Sequence, residues 1–350
     1  PETTKTLLAA NPVQEEKTDM FNYASNGNYY DGSNDPNYIT NGLYSTEDED
    51  GTSYYFRGNV ENNNVQFGEY PSDYYVYEDY GKYYQSQESC LEDGNSTCTP
   101  VKLASAGDKM YWKIVRVNGD GSLRLIYNGT SATPDSNDLA HSCAIGSTLY
   151  NSEFNDPKYS GYTYDNGTDS LFKREVDTWY ANTLGKSNYD RMVTSGRFCS
   201  DSSGYQDGST FGGGNIFASM IRLGQSMTNF ASPNAPTLKC PATSESYGGS
   251  YRLKAGLITA DELVLAGENY NVEGNSYLSP GKNGNGYGTM TPVMYNTHYS
   301  FPNVWYMQKN LYYSSVSTLN IFIRPIINVT VDGDFTSGDG SVKSPYVIEG

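Results

Sequence analysis

The sequence predicts an α+β fold, and three observations predict it. Strand-like runs open near Tyr54 and return near Ile321, so both ends of the ordered chain read as β. Helix-periodic stretches at 169–185 and 257–267 lie between them. Long Gly-, Ser- and Asn-rich segments separate the elements, giving strands, then helices and loops, then strands, with the two chain ends close together.

Taken in order, residues 1–45 are polar and rich in Asn, Asp, Gly and Tyr. "KTLLAANP" reads as the tail of a helix that begins upstream, and the rest as a stalk or linker before a domain at 46–350. Runs 54–57 and 65–68 are short strands separated by the Asn-rich turn "NVENNN". In "MYWKIVRVNGDGSLRLIYNG", Trp112, Ile114 and Arg116 alternate with Lys113, Val115 and Val117, and Leu123, Leu125 and Tyr127 with Arg124 and Ile126. The intervening "NGDGS" accepts positive φ, which makes the unit a hairpin. Phe172, Val176, Trp179 (or Tyr180) and Leu184 share one helical face, with Asp169 as cap and Gly185 as stop. "LITADELVLAG" begins as a buried strand at Leu257 and Ile258; Thr259 and Glu262 then form a capping box, and Gly267 ends the helix. "NIFASMIRLG" is a third, short helix, and the segments at 321–334 and 344–350 return to strand.

Charge and cysteines bound the setting. A net charge of -17 excludes nucleic acid, which needs a basic patch, and disfavours anionic membrane surfaces. No apolar run is long enough to span a bilayer, so a membrane enters only through an anchor upstream of this stretch. Of five cysteines, Cys90 and Cys98 flank a short polar loop suited to a local bridge. Cys199 and Cys240 bracket a Gly/Ser-rich segment that a second bridge would hold, leaving Cys143 over. Two bridges imply an oxidising, extracellular or cell-surface location. Four Asn-x-Ser/Thr sites, at Asn95, Asn128, Asn166 and Asn328, matter only in a glycosylating host.

Catalytic constellations are missing. The only histidines are His141 and His298, too few for a three-histidine metal centre. His141 lies two residues from Cys143, whereas a nucleophile and its base meet from distant segments. Asp261 and Glu262 sit at a helix start, where acids favour the positive end of the dipole. "FGGGN" lacks the Lys-Ser/Thr of a phosphate loop, and no CxxC occurs. "NGDGS" lacks the distal Glu of a calcium loop; Asp332, Asp334 and Asp339 make structural calcium a weaker alternative to a turn, and no other cofactor is expected.

The chain holds 34 tyrosines, a side chain that combines a flat apolar face with a hydroxyl. They crowd the segment 277–328. There Met290, Pro292, Val304, Leu311, Val316, Arg324 and Pro325 read as structural. Between them lie Tyr295, Asn296, His298, Tyr299, Phe301, Asn303, Trp305, Tyr306, Lys309, Tyr312, Tyr313 and Asn320, a paratope-like mixture of aromatic anchors and hydrogen-bonding groups. The expected ligand is a protein or glycan on another cell or host surface, with Trp305, Tyr306 and Tyr312 as anchors. The rival expectations are an oxidase or glycan hydrolase, which would need a cleft with a perturbed acid or thiol, and a pilin-like structural subunit.

Together "YWKIVRVNGDGSLRLIYNG", "TLKCP", "GLITADELVLAG", "GTMTP", "IRPIINV" and "GDGSVKSPYVI" resemble a group of secreted Firmicutes proteins with a C-type-lectin-like fold of the formylglycine-generating-enzyme subtype. The resemblance covers 45–350 and implies that fold, with long loop and helix insertions. Several such relatives begin with a prepilin-type helix. The tail is also similar to the variable region of diversity-generating-retroelement proteins, in which adenine-directed mutagenesis scatters Asn, Tyr, Ser, His and Asp over a rigid scaffold. The resemblance argues against activity: the enzymes of that fold use a reactive cysteine pair or three histidines, whereas here Cys199 and Cys240 look structural and the histidines are too few. Calcium-dependent sugar motifs are likewise missing.

Overall fold

The computed structural model describes residues 1–16, 21, 41–164, 168–204, 215–223, 236–240, 249–270, 276–280, 286–296, 301–318 and 320–350. It is a sheet-rich mixed structure with few helices. One nine-stranded sheet runs Gly42–Asp48, Gly51–Arg57, Lys109–Val117, Leu123–Tyr127, Ile326–Val329 and Val193–Thr194. The second runs from Leu311–Ser315 through Phe301–Met307, Tyr287–Asn296, Asn320–Phe322, Ser147–Leu149, Lys82–Tyr84 and Tyr74–Asp79 to Thr99–Ala104.

The hairpin at 109–127 forms as the sequence predicts, with Gly121 at φ +84 in its turn. All five residues of Leu123–Tyr127 are buried, because side chains on both faces of the strand are covered. The runs read at 54–57 and 65–68 become Gly51–Arg57 and Asn64–Glu69, and both pair with Lys109–Val117. The preceding strand, Gly42–Asp48, pairs with Gly51–Arg57 through a tight turn. It straddles the boundary expected at 45 between linker and domain, because "GLYSTED" carries few apolar residues to mark it.

The N-terminal stretch is also more than a stalk. Helix Glu2–Ala10 seats Leu7 in the core at 0% exposure, and Thr6 Oγ1 donates to Asp334 Oδ2 at 2.5 Å. Strand Tyr346–Ile348 pairs in parallel with Asn64–Glu69, so the C-terminal segment joins the first sheet, and the Thr6–Asp334 bond ties the N-terminal helix to that segment. The remainder of the expected linker, 17–20 and 22–40, lies outside the described residues.

Helix Leu171–Asn182 buries Phe172, Val176 and Trp179. Trp179 meets Tyr127 at 5.3 Å and Trp112 at 6.3 Å between ring centroids, joining the helix to the first sheet. Its cap is Ser170, whose side chain accepts from Lys173 N, rather than Asp169. Asp169 pairs instead with the Lys173 ammonium at 3.4 Å, and Thr183, not Gly185, ends the helix.

Helix Ala260–Ala266 shows both halves of the Thr259–Glu262 capping box and a left-handed Gly267 at φ +112. Leu257 and Ile258 are buried as expected, but the strand before the helix is Ala255–Gly256. The third helix spans Ala218–Leu223. Cys90 bridges Cys98 and Cys199 bridges Cys240, while Cys143 is a buried free thiol. Among the described residues no helix is long and apolar enough to cross a membrane. Asn128 and Asn328 are buried at 4% and 0%, so their sequons are closed to glycosylation in the folded chain. Asn95 is partly buried, and Asn166 lies outside the described residues.

Candidate functional site

Strand Leu311–Ser315 is the terminal strand of the second sheet. It pairs antiparallel with Phe301–Met307, placing Tyr312 opposite Tyr306 and Tyr313 opposite Trp305. The outer side is met only at its start among the described residues: Leu311 N donates to Asn269 O at 2.9 Å, and Tyr270 bridges Leu311 in parallel.

Three phenol rings gather at this edge. Tyr270, Tyr312 and Tyr313 lie within 17° of parallel, with centroids 5.9 Å (270 to 312), 5.8 Å (270 to 313) and 5.4 Å (312 to 313) apart. Successive side chains of a flat strand point to opposite faces. The proximity of the Tyr312 and Tyr313 rings therefore means that both lean past the strand toward Tyr270. Tyr312 is 40% exposed and Tyr313 is half-buried.

Beneath them Trp305 is fully buried at 0%. Its ring meets Tyr313 edge-on at 5.7 Å and Tyr270 at 5.6 Å. The indole N–H donates to Ser219 Oγ at 3.1 Å, and Ser219 Oγ donates to Pro292 O at 2.6 Å. Trp305 is thus part of the core that holds the tyrosines, not an anchor a ligand can reach. The same correction applies to Tyr306, buried at 7% against Tyr312, and to Asn303 at 4%. The strand is covered on both faces, so positions 302–307 are all buried although successive side chains point opposite ways.

Of the other expected contacts, Lys309 is exposed in the turn that joins Met307 to Leu311. Tyr295 is half-exposed and pairs with Asn215 and Pro302. Asn320 is half-buried in the sheet interior beside Leu149. His298 and Tyr299 lie outside the described residues, as do the side chains of Asn296 and Phe301. The structure therefore brings together Tyr312 and Tyr313, with Lys309 exposed in the turn before them, and adds Tyr270 and Ser219, which no local pattern marked. The residues read as structural, Met290, Pro292, Val304, Leu311, Val316 and Arg324, are all buried.

Away from the tyrosine edge, a concavity lies beside the Cys199–Cys240 bridge. Each of its arginines is paired with acid. Arg116 pairs with Asp48 at 2.9 Å and Glu262 at 3.1 Å, and Arg124 Nη2 donates to Glu262 Oε2 at 3.2 Å. Arg222 grips Asp261 at 2.7 and 2.9 Å and Asp201 at 3.0 Å, and Arg197 holds Asp50 at 2.9 and 3.0 Å. Burial pushes the Glu262 carboxyl up, but Arg124 and Arg116 outweigh it and hold its pKa below the ordinary range. Glu262 thus completes the capping box, Asp261 sits beside it in the first turn, and both anchor buried ion pairs.

The free thiol and the histidine do not form a nucleophile–base pair. Cys143 Sγ donates to Asn128 Oδ1 at 3.3 Å, and burial raises its pKa, which keeps it protonated and unreactive. The His141 ring packs against Tyr83 at 5.1 Å and Phe322 at 5.2 Å, with Nδ1 3.7 Å from Asp138. Among the described residues no cluster of His, Cys, Asp and Glu could hold a metal ion. No protein-family model, curated protein or solved structure matches the chain.

Proposed function

We propose that the protein is an extracellular, surface-displayed ligand-binding protein whose contact surface is the tyrosine edge of the second sheet. One observation carries the reading: Tyr312 is exposed while stacked with Tyr270 and Tyr313 on a buried, hydrogen-bonded Trp305. Rings held in this way lose little further freedom when a ligand covers them, so their apolar area converts efficiently into affinity. Gln308, Lys309, Asn310 and Ser314 around them supply hydrogen bonds that tune fit. Two disulfides support an oxidising location.

The finer assignment is a C-type-lectin-like scaffold of the formylglycine-generating-enzyme subtype whose C-terminal region, 277–328, is diversified by a retroelement. It rests on the sequence resemblance. On this reading diversification falls on Tyr295, Tyr312, Tyr313 and Ser314, which reach the surface, and spares Trp305 and Met307, which do not. The protein acts without catalysis, and its ligand is a protein or glycan on another cell or host surface.

The test is capture from an array of defined glycans and cell-surface proteins, with Tyr312→Ala as the comparison. A ligand retained by the parent and lost by Tyr312→Ala supports the reading. Retention that is indifferent to Tyr312, or that is replaced by concentration-dependent self-assembly, overturns it.

A further inference from the structure

Asp79 ends strand Tyr74–Asp79 at 2% exposure. Thr97 Oγ1 donates to its Oδ1, which turns the carboxylate toward the loop closed by the Cys90–Cys98 bridge. The other oxygen, Oδ2, is buried and has no hydrogen-bond partner, and among the described residues no Lys or Arg forms an ion pair with this acid. Asp48, Asp201, Asp261 and Glu262 are also buried, but each of them meets an arginine. A buried carboxylate left without a counter-charge is costly. Protonating Oδ2 would not settle it, because a buried donor would then stand unpaired in its place.

The bridged loop supplies further oxygens. Asp93, Asn95 and Thr97 stand at alternate positions, the spacing by which calcium loops present their first ligands. Asn95 commits its amide N–H groups to Tyr84 OH at 3.0 Å and Cys90 O at 2.9 Å, which leaves its carbonyl oxygen free among the described residues. Asp93 accepts from Tyr84 OH at 2.5 Å and from Lys82 Nζ at 3.4 Å, both on Oδ2, which leaves Oδ1 free in the same sense. Tyr84 senses both acids: after burial, its bond to Asp93 and then the charge of Asp79 raise the pKa of the phenol. The disulfide closes this loop across a separation of 8 residues, so its side chains are held near Asp79 before any ligand arrives.

We propose that Asp79 and the bridged loop bind calcium, with Asp79 Oδ2, Asp93 Oδ1, Asn95 Oδ1 and Thr97 Oγ1 as the protein oxygens and water as the remainder. Calcium takes six to eight oxygens, charged or neutral, in flexible geometry. It therefore needs no cluster of three acidic, His or Cys ligands, and none exists among the described residues. Magnesium fits worse, since it demands a near-ideal octahedron that an amide and a hydroxyl already held by hydrogen bonds do not rearrange to form. With two carboxylates the expected dissociation constant is about 10⁻⁴–10⁻³ M, the range of extracellular modules. The site pins the end of strand Tyr74–Asp79 to the loop, at the end of the second sheet opposite the tyrosine edge, and is independent of what that edge binds.

The experiment strips the whole chain with chelator, titrates it with calcium chloride by calorimetry, and records its thermal midpoint in chelator and in about 10 mM calcium, roughly tenfold above the expected dissociation constant. The parent should bind calcium and gain midpoint. Asp79→Asn and Asp93→Asn should each weaken binding by about tenfold or more and lose that gain. In chelator Asp79→Asn should match or exceed the midpoint of the parent, because the uncompensated charge is gone. Asp332→Asn/Asp339→Asn, in the other acid-rich turn, should bind as the parent does. No binding at about 10 mM calcium, or an equal gain with magnesium, would overturn the assignment. So would adventitious surface calcium only, seen as an equal gain in both loop variants, or a loss confined to Asp332→Asn/Asp339→Asn. If Asp79→Asn does not fold, Asp93→Asn decides, since that side chain is 28% exposed.

Discussion

At the scale of single residues, burial decides which aromatics are scaffold and which are surface. Trp305 fills core at 0% exposure and donates its N–H to Ser219, so Trp305→Ala should cost about 3–5 kcal/mol in chemical unfolding. Tyr312, 40% exposed, should cost about 1 kcal/mol or less on truncation to Ala, the worth of its ring contacts. Equal losses would mean that Tyr312 is core. Glu175 poses a separate question. Burial against strand Lys82–Tyr84 raises its pKa to about 7, although its carboxylate accepts from Gln85 N at 3.2 Å. A carboxyl whose folded pKa is raised penalises the folded state as pH climbs from the unfolded value, near 4.5, to about 7. Glu175→Gln should therefore gain stability relative to the parent above pH 7, by up to about 3 kcal/mol, and gain nothing near pH 4. Thermal midpoints of both proteins across that range check the sign.

At the scale of elements, turn and capping chemistry located two elements, although in helix Leu171–Asn182 Ser170 and Thr183 take the places expected for Asp169 and Gly185. The 109–127 hairpin rests on turn chemistry and alternation, and the 260–266 helix on a capping box and a C-terminal glycine; each signal lies within a few residues. Strand Gly42–Asp48 escaped because its side chains are polar and its partner defines it. The candidate site divides in the same way. Its tyrosine-rich composition was visible, but which tyrosines face solvent depends on Tyr270 and Ser219, which arrive from other elements. The ionic network was also hidden: Asp48, Arg116, Arg124 and Glu262 come from four elements, and only Glu262 had a local reason to be noticed. Removing one charge from such a buried cluster leaves its partners uncompensated. Glu262→Gln should therefore destabilise by about 3–5 kcal/mol, with urea midpoints as the measure. A change below about 1 kcal/mol would show that solvent screens the network.

At the scale of the whole molecule, the cysteines organise the account. The pairing Cys90–Cys98 and Cys199–Cys240 was legible because each pair brackets a loop that a bridge would close. The sequence separations are 8 and 41 residues, so loop-closure entropy predicts losses of about 2.5 and about 4 kcal/mol when each pair is replaced by Ala. The larger effect should follow Cys199→Ala/Cys240→Ala, and the reverse order would contradict that model. How the two nine-stranded sheets join was not legible, since most pairings connect distant segments and Tyr346–Ile348 beside Asn64–Glu69 is the extreme case. The central claim is that a stiff, disulfide-held core presents tyrosines it does not need for its own stability. Its most direct test pairs two measurements on Tyr312→Ala/Tyr313→Ala: affinity for whichever array ligand the parent captures, and thermal midpoint. The account predicts at least about a tenfold loss of affinity with a midpoint within about 3 °C of the parent; unchanged affinity, or a fall in stability large enough to explain the loss, would contradict it.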